Sequence, residues 1–138
     1  MTAAVCIDDC GGMTFNNRRV SRDSSVIEDI TQLHPARVFA DPYSAPLFEK
    51  TDLTVSYSTD FLACAEKNDI CFIENRPEGE WFDKSEKIIF YRWNRRYPSE
   101  LRLSVMPESD PRLRLLERTE FPGTSHKKIT REVYEKCR

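Results

Sequence analysis

DICFIE, residues 69–74, is the stretch whose reading decides the fold. Its inner positions, Ile70, Cys71, Phe72 and Ile73, are apolar without alternation, so a strand here must hide both of its faces. Continuous apolar strands of this kind belong to sheets covered on both sides, where neighbouring strands run parallel. The surrounding chain supplies the remaining parts. AAVCI (3–7), ARVFA (36–40) and KIIFYRW (87–93) are further short apolar runs, and LTVSYS (53–58) reads as another strand. Between LTVSYS and DICFIE lies TDFLACAEK (59–67), read as a compact helix capped by Thr59, with Phe61, Leu62 and Ala65 on its buried face. SRDSSVIEDITQL (21–33) carries clearer helix signals. Ser21 or Asp23 caps it, and Val26, Ile27, Ile30 and Leu33 fall at near-helical spacing. His34-Pro35 stops it, because the residue before proline avoids the helical region.

The rest of the chain is less regular. DDCGG (8–12) is turn chemistry, and DPYSAPLFEK is confined by Pro42 and Pro46 to a turn with at most one helical turn. RPEGEWFDKSE reads as loop or short helix, YPSELRLSV contains a strand, and DPRLRLLERTEF alternates as an antiparallel strand does. SHKKITREVYEKC stays open between helix and strand. Ile129 and Val133 have helical spacing, whereas Ile, Thr, Val and Tyr favour strands. The order predicts one α/β domain over residues 1–138, with a mostly parallel central sheet, an antiparallel C-terminal edge and a few short flanking helices.

With 138 residues and 39% apolar side chains, the chain is long enough to bury a core. Its net charge of −2 gives no general drive toward nucleic acid or an anionic membrane. The five cysteines follow no C-x-x-C spacing, MTAAVCIDD lacks the basic start of a leader, and no apolar run has the length of a membrane span. These features predict a soluble cytoplasmic protein with reduced thiols and no membrane partner; they leave the oligomeric state open.

GGMTFNNRRVSRDSS (11–25) holds the candidate site. Asn16, Asn17, Arg18, Arg19, Ser21 and Arg22 follow a strand end and lead into a helix, where open α/β sheets bind ligands. Arginine forks and free helix N–H groups suit an anionic or nucleotide-like small molecule. The alternative is a solvated loop whose arginines pair with Asp8, Asp9 and Asp23, or with Asp41 and Glu74 at neighbouring strand ends. Two other constellations are weaker. Ser125-His126 with Glu132 has the residue types of nucleophile, base and orienter, but adjacent side chains seldom face each other. RWNRRYPSELR (92–102) carries four arginines against one glutamate, yet its aromatic residues fall on both faces of a strand, so some are core. Nucleic acid is therefore not the expected partner, and a ribonuclease or RNA-binding role using 92–102 is a runner-up.

The strand order and loop contents resemble the dihydrofolate reductase family. AAVCIDDCGGM matches its opening strand and Gly-Met loop, SRDSSVIEDI lies where its acid-bearing helix belongs, and RVFADPYSAPLF, LTVSYSTDFLACAEKNDICFIEN and FDKSEKIIFYR follow in register. RYPSELRLSV and SHKKITREVYEKC resemble the edge segment and last strand. The resemblance implies that fold and a ligand cleft, with Asp23 or Glu28 as the acid that would protonate a pterin-like ring. It also implies losses. The Gly-Arg-x-Thr that helps hold cofactor phosphates is here Asp41-Pro42-Tyr43-Ser44, and the Gly-Gly beside the pyrophosphate is Glu74-Asn75. Only EKTD separates PLF from LTVSY, where the family inserts an adenosine-reading strand and helix. The expectation is a binding protein with no cofactor and no metal, not a working NADPH-dependent reductase. The alternative is an enzyme using the same cleft for acid–base chemistry without NADPH. GMxFNxRRxSxD and GxSHxxIxxEVY also resemble a group of small clostridial-type proteins that sometimes carry a ribonuclease Z label. His34 and His126 alone do not form that enzyme's zinc cluster.

Overall fold

The middle strand β1 (Thr2–Ile7) lies between two parallel partners, β6 (Ile70–Ile73) and β7 (Lys87–Arg92). A computed structural model describes residues 1–137 and extends this sheet both ways. β4 (Val38–Ala40) pairs parallel with β6, and β5 (Val55–Tyr57) parallel with β4. On the other side β10 (Ile129–Lys136) runs antiparallel to β7, and β9 (Leu113–Phe121) antiparallel to β10. The seven-stranded order is β5-β4-β6-β1-β7-β10-β9, mostly parallel with an antiparallel C-terminal edge, as expected. The C-terminal segment is a strand. Its register puts Val133 opposite Ile89 and Tyr134 opposite Ile88, so pairing to a buried strand outweighs the helical spacing of two residues.

All four residues of β6 are buried, because alternate side chains feed two separate apolar layers. Ala3, Val5, Ile7, Cys71, Ile73, Ile88 and Phe90 face Phe61 and Leu62 of the one-turn helix α2 (Phe61–Cys64), Trp81 of α3 (Glu78–Trp81), and the adjoining Phe82. Ala4, Ile70, Phe72, Ile89 and Tyr91 face the opposite layer. There Val26, Ile27 and Ile30 of α1 (Ser24–Gln32) and Phe48 of the 3-10 turn Pro42–Phe48 close the core. Each fully buried side chain of this size contributes about 1.5–3 kcal/mol. α1 begins as expected, with Asp23 at its N-cap accepting a hydrogen bond from Ser25 N at 2.9 Å. It ends at Leu33, after which His34 turns the chain out with a positive φ of 50°. Among the described residues no helix is long and apolar enough to cross a membrane.

Two local expectations are corrected. The helix expected over 59–67 is only α2, and Thr59 does not cap it; Asp60 holds the cap position without a side-chain bond. The segment expected as a loop is instead a hairpin of β2 (Gly12–Phe15) and β3 (Arg18–Arg19), joined by β8 (Leu101–Arg102) into a second, three-stranded sheet. Asn16 and Asn17, at φ 50° and 60°, make the two-residue turn that matches strand twist. The loop before it is held by buried Asp8, whose Oδ1 accepts from Cys10 N and Gly12 N while Oδ2 accepts from Tyr97 N at 3.0 Å.

Gly12 marks where the hairpin presses on the 95–99 segment: a Cβ there would lie 2.2 Å from Ser99 Oγ. Gly12→Ala is expected to cost about 1–3 kcal/mol in urea unfolding through overpacking. Gly79→Ala, where a Cβ meets nothing within 4 Å, is expected to gain about 0.5 kcal/mol. Equal effects at the two sites would contradict this account of the hairpin.

Candidate functional site

The carboxyl ends of β1, β6 and β7 open beside the first turn of α1, and the space between them is the candidate site. Cys6, Phe72, Ile73 and Trp93 form its floor, Val26, Ile27 and Leu47 one wall, and Arg19, Ser21, Arg22 and Glu74 its rim. The cleft is narrow, with a cavity volume of only about 20 Å³. As it stands it holds about one water, so anything larger must displace rim side chains.

One wall is fixed by a buried carboxylate. Asp23 Oδ1 accepts from the backbone N–H groups of Ser25 and Thr124, both at 2.9 Å. Its Oδ2 accepts from Ser125 N (2.7 Å), His126 N (3.1 Å) and His126 Nδ1 (2.9 Å). Burial pushes this carboxyl's pKa up, but the His126 bond and the three backbone donations outweigh it and hold Asp23 well below the usual carboxylate range. Gly123 makes the wrap possible, since a Cβ there would lie 2.6 Å from His126 O and 2.7 Å from Asp23 Oδ2. The imidazole of His126 stacks on Trp93 with centroids 4.7 Å apart. Its other nitrogen, Nε2, stands 2.9 Å from both Ser21 Oγ and Tyr97 OH.

The opposite rim is closed by an ion pair. Arg19 donates from Nε to Glu74 Oε2 at 2.8 Å and from Nη2 to Glu74 Oε1 at 3.0 Å, and Ser44 Oγ donates to Oε1 at 2.8 Å. The Arg19 guanidinium also lies over the Tyr43 ring at 4.7 Å, and Arg19 N donates to Tyr43 OH. Asp41 caps the 3-10 turn by accepting from Tyr43 N and is paired with Arg76. Cys6, on the cleft floor, has its thiol pKa pushed well up by burial, which keeps it protonated.

The residues singled out from sequence thus separate into groups. Arg19, Ser21, Arg22 and Asp23 reach the cleft, whereas Asn16, Asn17 and Arg18 are exposed on the hairpin and do not line it. Arg18 and Asn16 border a separate surface groove with Phe15 and Tyr97. Glu28 is exposed on the outer side of α1. Asp23 is saturated by donors, so neither carboxylate is placed as the acid for a bound ring. Of the expected acid–arginine pairs only Glu74–Arg19 forms; Arg22 makes no ion pair among the described residues. In the 92–102 segment Arg92 is held by Glu132 and Glu108, and Arg102 by Ser99. Trp93 is buried, so the segment's aromatic side chains serve mainly as core. Glu132 faces Arg92, while His126 finds Asp23 and Ser21, partners more than a hundred residues away. Among the described residues no three His, Cys, Asp or Glu side chains gather to hold a metal ion.

No protein-family model and no curated protein matches the chain. Among solved structures, dihydrofolate reductase from Enterococcus faecalis, complexed with NADP(H) and RAB-propyl, is similar over 99% of this chain and 96% of that one, with a TM-score of 0.64 and 10% identity. At that identity the likeness is one of fold: the chain has the dihydrofolate-reductase-like α/β fold.

Asp23 gives a pH signature whose sign follows from its depressed pKa. Its ionised form stabilises the fold at every pH above the unfolded carboxyl value, about 3.9, and that contribution fades as pH falls toward the lower folded value. Asp23→Asn is expected to lower stability by about 3 kcal/mol at neutral pH, because it leaves buried donors unpaired. In urea titrations the gap between wild type and variant should narrow below roughly pH 4. A gap independent of pH would refute this role for the carboxylate.

Proposed function

We propose that the chain binds a small, flat molecule of nucleotide- or pterin-like kind, carrying an anionic group, in the cleft behind residues 11–23. The observation that carries this reading is a cleft at the carboxyl ends of the strands with an apolar floor and one cation, Arg22, left without an acidic partner on its rim. A flat ring would lie against Phe72, Ile27 and Trp93, displacing about one water, and Arg22 would meet the anion. Arg22 is exposed and Leu47 half-buried, so both can swing outward to admit it.

The residues do not fit a dinucleotide cofactor. The backbone at Glu74 carries a carboxylate where a pyrophosphate would need a close approach, and that carboxylate is already matched by Arg19 and Ser44. The Asp41 carboxylate, paired with Arg76, adds a second negative group near the same strand ends. β5 is an edge strand of the sheet, with no adenosine-reading strand beyond it among the described residues. The ligand in this reading is therefore a single small molecule.

A thermal-shift screen of nucleoside monophosphates, pterins and inorganic phosphate tests the proposal. A ligand at a hundred times its dissociation constant adds about 2.7 kcal/mol, a rise of roughly 5 °C or more for a domain of this size. Arg22→Ala should weaken that ligand roughly 10- to 100-fold, whereas Arg18→Ala should leave it unchanged. NADPH should give no shift. If none of the panel shifts the wild type, or if Arg18→Ala weakens binding as much as Arg22→Ala, the reading fails.

A further inference from the structure

Ser21, His126 and Asp23 stand in one line. Ser21 Oγ is 2.9 Å from His126 Nε2, and His126 Nδ1 is 2.9 Å from Asp23 Oδ2. Spacing in sequence does not suggest this set, since 105 residues separate the serine from the histidine. The chemistry of the inner pair fixes the state of the ring. An ionised carboxylate only accepts, so in the neutral imidazole the hydrogen sits on Nδ1 and the Nε2 lone pair points outward as a base. The Trp93 stack and the peptide N–H groups around Asp23 prevent the ring and carboxylate from turning. Ser21 is half-buried and lines the cleft together with buried Asp23, while His126 is buried and does not line it.

We propose that Ser21 is the nucleophile of a Ser–His–Asp triad acting on an ester or thioester carried by a small molecule in this cleft. The inference rests on the cleft's admitting a small molecule. The triad is recognised by geometry and by roles rather than by chain order or fold. Ser21 Oγ attacks the carbonyl carbon as its proton passes to His126 Nε2. The imidazolium, stabilised by Asp23, returns that proton to the departing alkoxide or thiolate as its bond to carbon breaks. Water then attacks the acyl-serine, giving its proton to Nε2, and Ser21 Oγ leaves and takes that proton back. The balance is ester plus water to acid plus alcohol, or thioester plus water to acid plus thiol.

Tyr97 sharpens the assignment. Two hydroxyls converge on one nitrogen with one lone pair, so Tyr97 OH competes with Ser21 for His126 Nε2. A purely structural histidine would be indifferent to which hydroxyl it holds, whereas a general base works only when it holds the serine. Removing the phenol hydroxyl therefore frees the base for Ser21. Cys6 does not compete as a nucleophile, because burial keeps its thiol protonated.

The test uses the full chain and a fluorophosphonate probe, with intact-mass kinetics and peptide mapping, alongside hydrolysis of p-nitrophenyl acetate. The expected result is a single adduct on Ser21, absent in Ser21→Ala at unchanged melting temperature. His126→Asn should slow labelling roughly 100-fold or more, and Tyr97→Phe should speed it roughly 2- to 10-fold. If His126→Asn does not fold, Ser21→Ala and Tyr97→Phe decide alone. No adduct, an adduct elsewhere, or a rate unchanged in Tyr97→Phe overturns the triad. Where labelling fails but a nucleotide, pterin or phosphate still raises the melting temperature, only the triad falls. Where both fail, the binding reading falls with it.

Discussion

The carboxylate of Asp23 is the constraint on which the site depends. It lies buried at the N-cap of α1, and a buried charge costs several kcal/mol unless its lone pairs are filled. Five donations fill them, and only one, from Ser25, comes from its own helix. The others come from residues 124–126, just before β10, the antiparallel strand that lies between β7 and β9. A single carboxylate thus starts the helix on one face of the sheet, bends the connection between β9 and β10 around itself, and sets the plane of the imidazole. The geometry at His126 Nε2 follows from it.

The opposite side of the cleft follows a different logic. Glu74 leaves the end of a buried parallel strand, where a small residue would let an anion approach the backbone. Instead its side chain turns into the cleft rim and takes Arg19 and Ser44 as partners. Arg19 in turn is placed by the Asn16-Asn17 turn, which fixes the register of the small sheet. The hairpin, the 3-10 turn at Pro42–Phe48 and the end of β6 are therefore tied through one ion pair. The end of β6 beside the cleft is thereby occupied by the protein's own paired charges.

The sheet was legible in the sequence because burial on two faces leaves a mark that alternation does not. DICFIE shows it directly, and the runs AAVCI and KIIFYRW repeat it. The small sheet was not legible, because β3 and β8 are two residues each and carry no period to read. Asn16-Asn17 was the available signal, as paired asparagines tolerate positive φ, but their neighbours suggested a ligand loop equally well. In the site, Arg19, Ser21 and Arg22 were within reach of the sequence, since they precede a capped helix at a strand end. The partnership of Ser21 and Asp23 with His126 was not, because side-chain convergence across a hundred residues leaves no local pattern. Ser125-His126 looked like a reactive pair, yet its peptide N–H groups, not its hydroxyl, are what the site uses.

Rigidity is distributed unevenly around the cleft, and that asymmetry bears on how it works. The Asp23, His126 and Trp93 wall is buried, hydrogen-bonded at every carboxylate oxygen and stacked, so its atoms keep their places as the rim rearranges. Arg22 and Leu47, by contrast, are held by no ion pair or full burial and can move at the cost of a rotamer. With room for about one water at rest, entry of anything larger requires rim side chains to move, and Arg22 and Leu47 are less firmly held than the Arg19–Glu74 pair. Such a division, with one wall preorganised and the other yielding, lets a small domain combine access with positioning.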